Sequence, residues 1–173
     1  AALDAFGRVD ILVNNAGVGT AVPALKETPE EFRSVVDVNL NGTYWMAKEC
    51  AAVMEPGSSI VNIASVLGLT AGYAPQAAYT ATKTAVIGLT RDLAHQWGSR
   101  RGIRVNSLCP GYFRSEMTDE IPAPMMESIT GSTILGRLGR QHELDAALLF
   151  LASDASSFVT ASTVVVDGGM TGH

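Results

Sequence analysis

Val9-Asp10-Ile11-Leu12-Val13-Asn14-Asn15-Ala16-Gly17 holds a short, nearly continuous apolar run that stops at small and polar residues. Such a run lacks the alternation of a half-exposed strand and suits a parallel strand buried on both faces. Three similar runs follow. They are Ser59-Ile60-Val61-Asn62-Ile63, Ile103-Arg104-Val105-Asn106-Ser107-Leu108, and Thr163-Val164-Val165-Val166 closed by Asp167-Gly168-Gly169. Helix-length stretches lie between them. Thr28-Pro29-Glu30-Glu31-Phe32 reads as an N-cap, a first-turn proline and first-turn acids. That helical territory continues with interruptions to about Met54, where Glu55-Pro56-Gly57 stops it. A second helix runs from Gln76 to about Trp97, stopped by Gly98. A third runs from Gln141 to Ala152, with Leu144, Leu148, Leu149 and Leu151 forming its apolar face. The alternation predicts an α/β fold, a doubly wound parallel sheet with right-handed crossovers. Tyr112 to Arg137 has only weak periodicity and holds two prolines, two glycines and three methionines. A segment of that kind between strand and helix suits a substrate lid.

The chain has 173 residues, enough for one domain with its own core. Hydrophobic residues make up 47% and charged residues 17%, which argues against disorder. The net charge of −5 argues against nucleic acid as a partner, and Arg100, Arg101 and Arg104 read as a solvated helix end and a strand start. No apolar run approaches the roughly 20 residues of a membrane span, and the first residues do not have the form of a signal peptide. Cys50 and Cys109 read as reduced core residues, so a cytoplasmic location is expected. His95, His142 and His173 are scattered, so no metal site is expected.

The residues best suited to chemistry are Tyr79 and Lys83. Positions i and i+4 share a helical face, which makes phenol and ammonium neighbours. A cation there favours phenolate and is expected to lower the tyrosine pKa from near 10 toward the range useful for proton transfer. Taken alone, the pair fits an exposed tyrosine beside a surface lysine. The context changes that reading. Ser65 follows the Ser59–Ile63 run, Asn14-Asn15-Ala16-Gly17 follows the first run, and Pro110-Gly111 follows the third. Ligands of open α/β sheets bind beyond the carboxyl ends of strands. Three successive strands thus place small or polar residues along one edge, near the tyrosine helix.

With these residues in place, the sequence resembles the short-chain dehydrogenase/reductase family, in its single-domain branch of 3-oxoacyl carrier-protein reductases and sugar dehydrogenases. The motifs are Asn14-Asn15-Ala16-Gly17, Asn39, Ser65, Tyr79-x-x-x-Lys83, Pro110-Gly111 and Asp167-Gly168-Gly169, in family order across almost the whole chain. The resemblance implies a Rossmann-like fold and an enzyme that interconverts a secondary alcohol and a ketone with NAD or NADP. It implies Tyr79 as general acid/base, Lys83 lowering the tyrosine pKa and holding the nicotinamide ribose, and Ser65 binding the substrate oxygen. It implies that Asn39 holds a water linking Lys83 to solvent. Asn15, Ala16 and Gly17 would line the adenosine side, and Pro110, Gly111 and Ser115 would face the nicotinamide. Met117, Ile121, Met125 and Met126 of the lid, with Tyr73 and Gln76, are candidate substrate contacts. Homodimers or homotetramers would pair through the two long helices and the C-terminal strand region.

One family element has no match. The glycine-rich phosphate turn and the acid on the following strand do not occur, and Gly17-Val18-Gly19 does not continue to a third glycine at the required spacing. The resemblance therefore implies the C-terminal two-thirds of the domain, with the residues that choose between NAD and NADP outside it. The Val9–Val13 strand is then expected to be an exposed apolar edge, and the stretch alone is expected to fold poorly and bind cofactor weakly. A non-catalytic scaffold on the same fold is the alternative reading. A serine hydrolase is disfavoured, because no Gly-x-Ser-x-Gly elbow occurs.

Overall fold

Four parallel strands form one sheet in chain order: β1 (Ile11–Asn14), β2 (Ser59–Ile63), β3 (Arg104–Pro110) and β4 (Thr163–Val166). The computed structural model describes residues 2–114, 118 and 121–172. The registers Ile11↔Ser59, Ser59↔Arg104 and Ser107↔Thr163 bring the carboxyl ends of all four strands to one edge. Two boundaries differ from the sequence reading. Asn14 is the last paired residue of β1 and Pro110 the last of β3, where both had been expected in loops. Proline can end a strand, where no further ladder donor is needed.

Among the described residues the sheet is accompanied by six α-helices: α1 (Ala2–Phe6), α2 (Pro29–Val36), α3 (Thr43–Val53), α4 (Ala77–Arg101), α5 (Ala123–Gly131) and α6 (Gln141–Ala152). The Thr28 hydroxyl accepts from Glu31 N, and the Glu31 carboxylate accepts from Thr28 N, so α2 starts with a full capping box. The interruption expected before Met54 is a π-type segment, Asp37–Gly42, between α2 and α3. Gly98 does not end α4. Its carbonyl accepts from Gly102 N, and Gly102 takes the left-handed conformation (φ +67°) that stops the helix. The weakly periodic 112–137 segment contains α5, which an apolar face of Met125 and Ile129 draws onto the core.

The β-strand alternation sorts the core into two layers. Ile60 and Val105 meet Ala47 and Ala51 of α3 and Leu93 and Ala94 of α4. Val61 and Leu108 face the other way, onto Leu144, Leu148 and Leu151 of α6. Leu149, expected on that apolar face, is instead 67% exposed. With strands in chain order, crossovers of one hand keep their helices on one face. The first two connections do so. The β3-to-β4 connection carries α6 on the opposite face, so its hand is reversed, contrary to the expectation of uniform right-handed crossovers.

Arg104 is not merely a solvated strand start. Its guanidinium donates to the Leu151 and Ser153 carbonyls and the Ser156 hydroxyl, satisfying the end of α6. β1 forms one edge of the sheet, and Ile11 there is 51% exposed, in line with the exposed-edge expectation. Among the described residues no helix is long and apolar enough to cross a membrane.

Candidate active site

The carboxyl edge of the sheet is built on buried amides. Asn14 and Asn62 are paired across β1 and β2, and Asn14 Nδ2 donates to Asn62 Oδ1 at 2.9 Å. Asn62 Nδ2 donates to the Thr90 hydroxyl of α4 at 3.0 Å. This chain of bonds ties the strands to the helix that carries Tyr79 and Lys83. A second tie lies nearer the edge. Just past β2, Ser65 caps a 3-10 turn, Val66–Gly68, by accepting from Leu67 N. Gly68 lies against the α4 backbone, where an added Cβ would come within 3.0 Å of the Lys83 carbonyl, and the Thr84 hydroxyl donates to the Gly68 carbonyl. The turn bearing Ser65 is thereby fixed to the turn of α4 bearing Lys83, one turn beyond Tyr79.

Tyr79 is half-buried and packs on the apolar cluster of Val66, Leu67, Ile129 and Met170, as do Tyr112, Ile121 and Met125. Burial pushes its phenol above the ordinary value, and a hydrogen bond with Ser65 works in the opposite direction. The expectation was a phenol lowered by Lys83; here desolvation sets the direction of its shift. The Lys83 Nζ lies 5.6 Å from the Tyr79 ring centroid and donates to the Ile63 carbonyl at 2.8 Å. Lys83 itself is only 5% exposed. Desolvation draws its ammonium down to about 8, with the Cys109 thiol a smaller opposing influence. Burial likewise raises Cys109, to about 11.

Asn39 is buried in the π-type segment, whose wider turn accompanies an inward-facing side chain. Its Oδ1 accepts from Val18 N and its Nδ2 donates to Val18 O, both at 2.8 Å. Nδ2 also reaches the Thr82 hydroxyl, which in turn donates to the Tyr79 carbonyl. This pairing draws the loop after β1 over the site. A Cβ on Gly17 would lie 3.4 Å from both Asn39 Oδ1 and Lys83 Nζ. Asn15 and Ala16 are exposed on the same loop.

Pro110 and Gly111 stand at the end of β3. Gly111 N donates to Val166 O, and a Cβ on Gly111 would meet the Asp167 Cα at 2.8 Å. Gly111 therefore allows the close approach of β4. Ser115 and Met117 lie outside the described residues. The structure adds two residues absent from the sequence-derived set. Thr82 links Asn39 to Tyr79, and its position three residues after Tyr79 was the available signal. Tyr112 packs on the same apolar cluster as Tyr79, and its phenol is raised by burial first and by Tyr79 and Tyr73 second.

Residues 1–171 match the family model described as enoyl-(acyl carrier protein) reductase. The chain belongs to the short-chain dehydrogenase/reductase family of oxidoreductases. It is 42% identical over 168 residues to an uncharacterized short-chain type dehydrogenase/reductase of Sinorhizobium fredii, covering 95% of this chain and 30% of that protein. It is 37% identical over 167 residues to the 3-oxoacyl-[acyl-carrier-protein] reductase of Thermotoga maritima, covering 95% and 67%. The structure of 4-hydroxyisoleucine dehydrogenase complexed with NADH matches with a TM-score of 0.90 at 37% identity, over 99% of this chain and 72% of that one. A gluconate 5-dehydrogenase from Burkholderia cenocepacia, in complex with NADP and tartrate, gives 0.91 at 36% identity, over 99% and 68%. The chain thus spans part of each relative's length.

Proposed function

We propose that the protein interconverts a secondary alcohol and a ketone, with NAD or NADP as the hydride partner and Tyr79 as general acid/base. The convergence of Ser65, Tyr79, Lys83 and the Asn39-held loop on one sheet edge carries this reading. The residues fit a nicotinamide cofactor. Gly17 leaves open the space beside the Lys83 ammonium that a Cβ would fill, and Lys83 spends one hydrogen bond on Ile63, leaving donors for ribose hydroxyls. When bound, the nicotinamide supplies or accepts the hydride. Lys83 and Tyr79 would hold its ribose. Asn15, Ala16 and Gly17 would line the adenosine side, and Pro110, Gly111 and Ser115 the nicotinamide side.

The chain's own chemistry is proton transfer at Tyr79 Oη. In reduction the phenol, kept protonated by burial, donates to the developing alkoxide. In oxidation it takes the alcohol proton. The Ser65 hydroxyl bonds the substrate oxygen and stabilises its charge as it develops. Both polar ends of the Asn39 side chain are committed to Val18 and Thr82. The water expected to link Lys83 to solvent would therefore need a partner other than this side chain. The 112–137 segment would cover a small carbonyl or alcohol, with Ile121 and Met125, which pack on the same cluster as Tyr79, as apolar contacts. Pairing of copies through exposed Trp45 and Met46 of α3 and through Leu149 and Phe158 would make a homodimer or homotetramer.

The test is Tyr79→Phe in the full-length protein, assayed in both directions with NADH and NADPH and their oxidised forms. The ring stays and the transferable proton goes, so rates are expected to fall by about two to four orders of magnitude. Retention of the wild-type rate would show the role assigned to Tyr79 to be wrong.

A further inference from the structure

We infer that Gly19 is a positioning residue for Tyr79, an inference that rests on the proton-transfer role proposed for that phenol. The three atoms nearest to a Cβ built on Gly19 all belong to the Tyr79 ring: Cδ2 at 3.0 Å, and Cε2 and Cγ at 3.6 Å. The backbone at position 19 lies directly against the ring. Its φ is outside the left-handed region, so the main-chain conformation does not call for glycine there. The constraint comes from the ring.

That support is firm. The preceding residue, Val18, is held through both its N–H and its carbonyl by the buried Asn39 amide. Gly17 is held close to Asn39 and Lys83 by the same arrangement. The ring also packs on Val66, Leu67, Ile129 and Met170. Tyr79 therefore has a fixed apolar bed and, at Gly19, a fixed backbone contact. A methyl group at position 19 forces a few tenths of an ångström of movement, and the ring is the neighbour that must give. Small misplacements of a reacting group carry a disproportionate cost in rate.

Gly19→Ala in the full-length protein tests this. Gly19 is exposed, so the variant is expected to melt at the wild-type temperature. Its kcat is expected to fall by about tenfold in both directions, with the Kd for NAD(P)H, measured by fluorescence, within about twofold of wild type. The pH midpoint of kcat is expected to shift as the phenol's hydrogen bond with Ser65 changes. A kcat within about twofold of wild type overturns the inference. A loss of kcat matched by a loss of cofactor affinity or of melting temperature, or one with an unmoved pH midpoint, also overturns it. The parallel Tyr79→Phe variant separates the two failures. If Tyr79→Phe is inactive while Gly19→Ala behaves as wild type, the positioning role alone fails. If Tyr79→Phe is fully active, both readings fail.

Discussion

Replacing Lys83 with methionine is expected to stabilise the cofactor-free protein at neutral pH while abolishing its activity. The ammonium is 5% exposed and its pKa is about 8, against 10.5 ordinarily. That gap of about 2.5 pH units, at about 1.4 kcal/mol per unit, corresponds to a cost of about 3–4 kcal/mol for keeping the charge buried. Methionine has a similar length and no charge. It forfeits the hydrogen bond to the Ile63 carbonyl, worth about 1 kcal/mol. The net gain at pH 7 is about 2–3 kcal/mol. The sign follows from proton counting. Between pH 8 and 10.5 the unfolded chain still holds the lysine proton that the folded chain has released, so the wild-type protein gains stability from this group as pH rises. The variant lacks that gain, and its advantage should vanish and reverse by about pH 10.5. The assay is urea unfolding of full-length wild type and Lys83→Met from pH 7 to 10.5. Their difference removes the raised tyrosines, which titrate in both, and leaves Lys83 with its smaller coupling to Cys109. A variant less stable at pH 7, or a difference that does not change with pH, would refute the reasoning.

Three further outcomes are expected. Gly111→Ala should cost about 1–3 kcal/mol, because the new Cβ meets the Asp167 backbone rather than a movable side chain; an unchanged thermal midpoint would contradict this. Asn106→Ala should cost about 3 kcal/mol by urea titration, since the side chain donates to Val159 O and accepts from Ser162 N in a buried position. The Glu143 carboxyl is held down at about 2, first by its hydrogen bond with Arg137 and then by Arg140 N. Its contribution is therefore present above its unfolded value of 4.5 and lost as pH falls from there toward 2. Thermal midpoints of Glu143→Gln should accordingly fall less steeply than wild type over that range.

The elements legible in the sequence were those with unambiguous ends. Ser59–Ile63 runs between Gly57-Ser58 and a small-residue turn, and Thr163–Val166 ends at Asp-Gly-Gly; the structure gives both strands these limits. Asn14 and Pro110 were misplaced because polar or cyclic residues look like loop, whereas here Asn14 finds an amide partner in register and Pro110 needs no further donor. Gly98 was read as a stop because a glycine's φ is invisible in sequence; the left-handed position belongs to Gly102. The site was legible as a set of residue types, but not as geometry. No spacing rule shows that Lys83 turns to the Ile63 carbonyl, or that burial outweighs its charge at Tyr79. Those outcomes depend on which strand end lies beneath the helix.

The reversed connection between β3 and β4 has a consequence for how such a protein can diversify. A chain that changes faces must travel around an end of the sheet. Here the journey begins at the carboxyl end of β3, and Tyr112, Ile121 and Met125 on its way pack on the same apolar cluster as Tyr79. The detour is an itinerary imposed by topology. Ser65 and Lys83 are tied instead to the strand ends and to α4, through Leu67 N and the Ile63 carbonyl. A change along the detour and a change at the strand ends are therefore separate events in this topology.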